Sequence, residues 1–236
     1  ALCGALSSLA LFAALSRFVR PIAALALALA FAASHAVWFQ SIRAEVYTLH
    51  AALICGALAV ITRAESAERA RLVAAFLIGL ALANHHYLTL VVVPGLVALH
   101  AAIFGRAALD ARKLVRSGAF VVLGLATYLY LPLRAGRAPE MDWGRPDTAS
   151  RFAWTVSAEL FQKSAEKPRG SLAEGAARAV EIVAADLHLA ATVAAFVALV
   201  FLIALRKTRF LGVSLLVLFL GAIFPKAQMG FLTSNP

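Results

Sequence analysis

Residues 72–104 read LVAAFLIGLALANHHYLTLVVVPGLVALHAAIF, two apolar runs on either side of the polar triplet Asn84-His85-His86. A bilayer core requires roughly 20 apolar residues per helix, and fewer where a helix is buried against others. Strands of a membrane barrel would alternate apolar and polar residues, which these runs do not. Comparable apolar blocks occupy residues 2–16, 21–39, 46–62, 72–83, 87–104, 118–133, 187–205 and 210–224. The sequence therefore predicts an all-α, polytopic membrane protein with about eight membrane segments.

The composition excludes several classes of protein. Of the 236 residues, 62% are hydrophobic and 14% are charged, with a mean hydropathy of +0.85. Soluble and disordered chains have fewer apolar residues, and two cysteines are too few for a disulfide scaffold. The net charge of +10 would suggest a nucleic-acid partner in a soluble protein. Here most basic residues lie in short gaps between apolar blocks, so we expect membrane lipid as a partner and no nucleic acid.

These basic gaps predict the orientation. If 72–83 and 87–104 are separate helices, the four basic gaps fall at alternate helix ends and therefore on one side of the membrane. These gaps contain Arg17/Arg20, Arg63/Arg69/Arg71, Arg106/Arg112/Lys113/Arg116 and Arg206/Lys207/Arg209. The positive-inside rule makes that side cytoplasmic. Residues 39–46, 84–86, 134–186 and 225–236 then face outward. A single unbroken helix over 72–104 would reverse everything downstream.

We divide the chain into three parts. Residues 1–133 form a transmembrane helical bundle, 134–186 an extracytoplasmic loop with short amphipathic helices, and 187–236 the C-terminal transmembrane helices. In the loop, we expect one helix from about 149 to 163, capped by Thr148 or Ser150. A second helix follows Gly170, with an apolar stripe that suits the membrane interface.

The first outward group of polar residues lies between Trp38 and His50. On a continuous helix, Arg43, Tyr47 and His50 would share a face, with Glu45 pointing elsewhere. Glu45 could act as an acid/base or orient an acceptor, and Arg43 could bind a lipid phosphate. The alternative is an interfacial anchor with an Arg43–Glu45 ion pair.

Two further groups face outward. Asn84, His85 and His86 could cap helix ends or line a cavity that binds sugar hydroxyls or phosphate. Adjacent histidines on a helix diverge by about 100°, so we expect no metal site. Arg134, after Tyr128-Leu129-Tyr130-Leu131-Pro132-Leu133, could be an anchor or a ligand. Asp142-Trp143-Gly144 could form a sugar-facing loop.

These motifs, in this order over about residues 1–165, resemble the DUF2723 family (glycosyltransferase family 117), which is related to TMEM260-type protein O-mannosyltransferases. The elements that carry the resemblance are Trp38-Phe39-Gln40, Ala44-Glu45-Val46-Tyr47, Gly79-Leu80-Ala81, Asn84-His85-His86, Pro94-Gly95, residues 128–134 and Asp142-Trp143-Gly144-x-Pro146. The resemblance implies a GT-C fold with Glu45, His85, His86, Arg134 and Trp143 as cavity residues. It departs from the family at Arg145, where an acid is more usual. The family's first outward loop is missing before Ala1, so we expect an internal piece that lacks a principal catalytic carboxylate.

We therefore predict a GT-C-type membrane glycosyltransferase that moves a sugar, mannose being a candidate, from a polyprenyl-phosphate donor to a protein or glycan acceptor. The predicted catalytic residues are Glu45, His85 and His86; the predicted substrate-binding residues are Arg43, Tyr47, Asn84, Arg134, Asp142 and Trp143. No cofactor is expected besides the lipid-linked sugar as substrate. We expect location in a bacterial inner membrane with the active side extracytoplasmic. The alternatives are a transporter or flippase of lipid-linked sugar and a non-catalytic scaffold.

Overall fold

A computed structural model describes residues 1–43, 45–106, 110–142, 144–159, 171–187 and 189–228. Within these ranges the chain is helical and contains no strand, which confirms the all-α prediction. The helices are α1 (Leu2–Leu15), α2 (Pro21–Ala33), α3 (His35–Ser41), α4 (Tyr47–Arg63), α5 (Ala67–Phe104), α6 (Ala111–Leu125), a 3-10 turn (Ala126–Leu129), α7 (Tyr130–Ala135), α8 (Ala149–Val156), α9 (Leu172–Leu187), α10 (Leu189–Ala204) and α11 (Arg209–Gln228).

Helix α5 folds back on itself at His85, the residue whose φ of −155° and ψ of 85° are not helical. The imidazole Nε2 of His100 lies 3.0 Å from the carbonyl oxygen of Ala67, although 33 residues separate them. A straight helix would hold these residues about 50 Å apart. The predicted division is therefore present: a first arm, residues 67–84, runs antiparallel to a second arm, residues 86–104.

Three helices pack against this hairpin in the described part of the chain, and a fourth, α1, packs on one of them. The core, where α4 meets both arms, consists of Ala57, Ile61, Ala74, Leu96 and Leu99. Helix α1 packs along α4, α6 along the first arm, and α11 along the second arm. Small residues allow the closest approaches, because a side chain on Gly79 would meet the backbone of Val121, and one on Gly221 would meet that of Val91.

The basic gaps meet at one end of this bundle, which we call the basic end. Arg17 and Arg63 line one cavity there with Phe104. The Arg106 guanidinium lies 5.2 Å from the centre of the Phe210 ring. Buried Arg71 in the first arm donates to the Lys113 carbonyl and, at 2.7 Å, to the Ser117 hydroxyl of α6. The alternation predicted from charge is thus reproduced by the helix directions.

By length and composition alone, two helices among the described residues could cross a membrane: α5 (Ala67–Phe104), which is folded into two arms, and the stretch Ala111–Ala135. Two pairs of consecutive helices could each form one further, bent span, which would raise the total to four. These pairs are Pro21–Ala33 with His35–Ser41, bent by 60°, and Ala173–Ala185 with Leu189–Ala204, bent by 118°. These apolar helices indicate a membrane protein, and the eight segments remain a prediction.

Two predicted helix boundaries are wrong. Helix α6 begins at Ala111, where Asp110 Oδ1 accepts from the Arg112 amide at 3.0 Å, so part of the supposed gap is helical. Helix α8 is capped by Thr148, as expected, but ends at Val156 rather than near 163. The chain leaves the helix there because Ala158 adopts a left-handed φ of 54°. Residues 160–163 lie outside the described ranges.

Candidate functional site

The end of the bundle opposite the basic end, here called the turn end, is where the arms of α5 reverse. The turn is fixed to the loop before α4, because Asn84 Nδ2 donates to the carbonyl oxygen of Val46 at 3.0 Å. Glu45 is exposed and directly precedes Val46 in the chain. The same hydrogen bond therefore brings the loop of Glu45 and the triplet Asn84-His85-His86 to one place.

His85 lies against the first turn of α4. Its ring centre is 5.7 Å from that of Tyr47 and 6.0 Å from that of His50, both at tilted angles. Its carbonyl oxygen accepts from the Thr89 hydroxyl at 2.9 Å, which stabilises the start of the second arm. His86, the next residue, is half-buried. Tyr47, Asn84 and His85 are thus brought together as predicted residues of one site.

His50 belongs to this cluster but was not among the predicted site residues. It is 9% exposed and packs beside His85. The available signal was its position three residues after Tyr47, which puts both on one face of α4. Burying an imidazole among apolar helices costs free energy, so such a residue is a candidate for a functional role.

The expected face shared by Arg43, Tyr47 and His50 is wrong for Arg43. Helix α3 ends at Ser41 and α4 begins only at Tyr47, so Arg43 lies in the link between them. Its guanidinium lies 4.9 Å from the centre of the Phe39 ring, on the α3 side. This cation–π contact is of the kind that exposed arginines make with aromatic faces.

A groove of about 390 Å³ opens beside the turn, between α4, the first arm and the 3-10 turn. Its walls are mostly apolar and include Leu49, Leu53, Leu80, Ala83, Asn84, Thr127, Tyr128 and Leu131. The Tyr128 hydroxyl donates to the Leu82 carbonyl at 3.3 Å and so fixes the wall to the first arm. An apolar groove with a few polar groups at its edge suits an amphiphilic ligand.

The remaining predicted residues lie further along the chain. Arg134 is exposed on the short helix α7, three residues after Leu131 of the groove. Asp142 is half-buried in the segment that follows. Trp143 lies outside the described residues. In the described part of the chain, no hydrogen bond or ion pair joins Arg134 or Asp142 to Glu45 or His86, so their convergence on one pocket remains a prediction.

The described residues include no group of three His, Cys, Asp or Glu side chains able to hold a metal ion. The His85 ring packs against those of His50 and Tyr47, and imidazole nitrogen atoms can exchange protons or hydrogen-bond hydroxyl groups. The chemistry available at the turn end is that of a carboxylate, imidazoles, a phenol and an amide beside an apolar groove.

Residues 1–106 match the family model described as the protein O-mannosyl-transferase TMEM260 N-terminal domain. The expected resemblance to this family is confirmed over that range, which extends from α1 through both arms of α5. The range includes Glu45, Asn84, His85 and His86, but neither Arg134 nor Asp142. No curated protein and no solved structure matches the chain significantly.

Proposed function

We propose that the protein is a glycosyltransferase of the GT-C class, which transfers mannose from a polyprenyl-phosphate donor to a hydroxyl group of a protein at the turn end. The observation that carries this proposal is the family match over residues 1–106, since its range contains the elements that meet at the Asn84–Val46 hydrogen bond. The coarser conclusion, a glycosyltransferase, follows from the family description. The donor, the acceptor and the side of the membrane are our proposal.

The groove beside the turn is the proposed site of the lipid part of the donor. Leu49, Leu53, Leu80 and Leu131 would contact the isoprenoid, while Asn84 and Tyr128 mark its polar edge. Arg43 and Arg134 are the proposed ligands of the phosphate, because planar guanidinium groups bind phosphate oxygens in pairs. Asp142 and Trp143 are the proposed contacts of the sugar.

The proposed reaction breaks one bond and forms one. The acceptor hydroxyl oxygen attacks the anomeric carbon, and the bond from that carbon to the donor phosphate oxygen breaks, so polyprenyl phosphate leaves with the electron pair. The Glu45 carboxylate takes the hydroxyl proton or orients the hydroxyl group. His85 and His86, with Tyr47, donate hydrogen bonds to the sugar or to the departing phosphate.

Orientation follows from charge. The basic end would face the cytoplasm by the positive-inside rule, which puts the turn end on the extracytoplasmic side. A lipid carrier and a polar acceptor can meet at such a membrane boundary. We accordingly propose an integral protein of a bacterial inner membrane with an outward-facing active side.

The test is transfer of labelled mannose from polyprenyl-phosphate mannose to a peptide by the purified full-length protein. We expect Glu45→Gln to lower the rate by about 100-fold or more, the usual contribution of an acid/base group, and His86→Ala by about 10-fold. Glu181→Gln on α9, at an exposed carboxylate, is the matched control and should retain the wild-type rate. A wild-type protein that binds donor but moves no label would contradict the proposal and favour a transporter or a scaffold.

A further inference from the structure

A second cavity lies at the basic end, and the proposed transfer reaction, at the turn end, does not involve it. It has a volume of about 380 Å³, in the range of small-ligand sites. Arg17 reaches it from the end of α1, Arg63 from the last turn of α4, and Glu65 from the link to α5. Ile103 and Phe104, at the end of the second arm, add an apolar wall. We call it the Arg17–Arg63 pocket.

The side chains of its two arginines, like those of Arg20 and Arg69 at the same end, are not engaged by other side chains within the described part of the protein. Both side chains are exposed, and neither takes part in an ion pair or a side-chain hydrogen bond among the described residues. Four other arginines at this end are engaged within the protein: Arg71 with α6, Arg116 with Glu68, Arg106 with the Phe210 ring and Arg209 with carbonyl groups of Ile203 and Ala204. The guanidinium groups of the pocket therefore have donors to offer a ligand.

The charge of the pocket favours an anion. Arg17 and Arg63 outweigh the single carboxylate of Glu65, so the lining carries a formal charge of about +1 and is surrounded by further basic residues. Glu65 lies just before the N-terminus of α5, a place that favours acidic side chains without any need for a cationic partner. Two guanidinium groups from different helices can each bind oxygens of one phosphate.

The apolar wall indicates that this anion belongs to a lipid. A free inorganic anion would make no use of Ile103 and Phe104, whereas a phospholipid can put its phosphate between the arginines and its glycerol and first methylene groups against the wall. The pocket also lies at the end of apolar helices, where lipid headgroups are found if these helices span the membrane. Basic pockets between membrane helices on the cytoplasmic side are typical sites for anionic headgroups.

We propose that the Arg17–Arg63 pocket binds the phosphate headgroup of an anionic phospholipid of the surrounding membrane. The site is separate from the proposed donor groove, since the two cavities lie at opposite ends of α4 and share no residue. The proposed lipid binding does not depend on whether the protein transfers a sugar, and testing it requires no transfer assay.

The experiment is native mass spectrometry of the purified full-length protein titrated with phosphatidylglycerol or, in parallel, with phosphatidylcholine. The double variant Arg17→Gln/Arg63→Gln is compared with Arg20→Gln/Arg69→Gln, which removes the same charge from exposed residues of the same end but outside the pocket. We expect the first pair to weaken phosphatidylglycerol binding about tenfold or more, as for the loss of a charge-assisted hydrogen bond, and the control by less than about twofold.

Glu65→Gln provides a test of opposite sign. Removing this carboxylate should tighten phosphatidylglycerol binding by about two- to fivefold, because it removes a like charge from beside the phosphate. The single variants Arg17→Gln and Arg63→Gln replace the double variant if that protein does not fold. Equal losses in both double variants, equal affinity for phosphatidylcholine, or displacement of the lipid by low-millimolar inorganic phosphate would each overturn the proposal.

Discussion

The crossing of α6 over the first arm depends on Gly124, and replacing it with alanine should separate the two helices. A Cβ atom at residue 124 would lie 2.5 Å from the carbonyl oxygen of Phe76 and 2.7 Å from the amide nitrogen of Leu80. Real Cβ atoms essentially never approach other atoms to under 3.0 Å and mostly stay beyond 3.4 Å, so α6 must move by about 0.5–0.9 Å at the crossing. A shift there also moves Tyr128, four residues on, and with it a wall of the donor groove.

The magnitude follows from two opposing terms. Alanine gains roughly 0.5–1 kcal/mol over glycine inside a helix, while forcing a methyl group into a closely packed contact costs about 1–3 kcal/mol. Gly118, in the same helix, is the matched control, since nothing lies within 4 Å of a Cβ atom built there. Gly118→Ala should therefore stabilise the protein by roughly 0.5–1 kcal/mol, and Gly124→Ala should be about 2 kcal/mol less stable than that control.

The free energy of unfolding can be measured for both variants by SDS titration in mixed micelles. Donor-lipid binding provides a second measurement, which should weaken for Gly124→Ala and stay unchanged for Gly118→Ala. If the two variants were equally stable and bound the donor equally well, the close helix crossing described here would be refuted.

Two other substitutions have matched controls in the chain. Arg71→Gln should lower the free energy of unfolding by about 2–3 kcal/mol, because the buried guanidinium loses two hydrogen bonds to α6. Arg69→Gln, on the exposed face of α5, should change it by less than about 0.5 kcal/mol. The same SDS titration measures both variants, and equal effects would contradict a stabilising role of the buried Arg71 side chain. His50→Phe should reduce the rate of mannose transfer severalfold with little loss of stability, because it removes the imidazole beside His85 and keeps an aromatic ring. The control His35→Phe, at an exposed residue, should leave the transfer rate unchanged.

The apolar pattern predicts the helices and their directions well, since apolar blocks and charge gaps are direct physical requirements of a membrane. The reversal at His85 illustrates this. Continuous hydropathy over 72–104 would permit a single helix, yet the distribution of arginines favours two, and the structure has two arms. Charge alternation therefore contained information that hydropathy alone did not.

Boundaries were harder to predict because the first turns of a helix can be polar. Arg112, Lys113 and Arg116 look like a loop in the sequence, but they are the first turns of α6, with their charged groups at the helix end. Long basic side chains extend toward water from such positions, so their charge does not mark the end of helical backbone. The apolar block at 118–133 lies within the candidate span Ala111–Ala135, and its membrane crossing stays a prediction.

The sequence indicates Tyr47, Asn84 and His85 as candidate site residues because polar residues between apolar runs are costly in a membrane. The structure brings these three residues together, and their role in a site stays a prediction. The sequence could not show that His50 packs beside His85, a contact made across two helices. It also placed Arg43 on α4, because the interruption between Ser41 and Tyr47 has no proline or glycine to indicate it.

The residues of the turn are needed for the fold and, in our proposal, for the chemistry, and a substitution of His86 can distinguish these two roles. A straight α5 would hold Asn84, His85 and His86 in the middle of an apolar helix, where polar groups are costly. The reversal puts them at a helix end, where Asn84 satisfies the Val46 carbonyl and Thr89 satisfies the His85 carbonyl. Substituting Asn84 or His85 therefore disturbs both the fold and any chemistry. Within the described residues the His86 side chain takes part in none of these turn contacts, so a loss of transfer in His86→Ala at unchanged stability would report the chemistry alone.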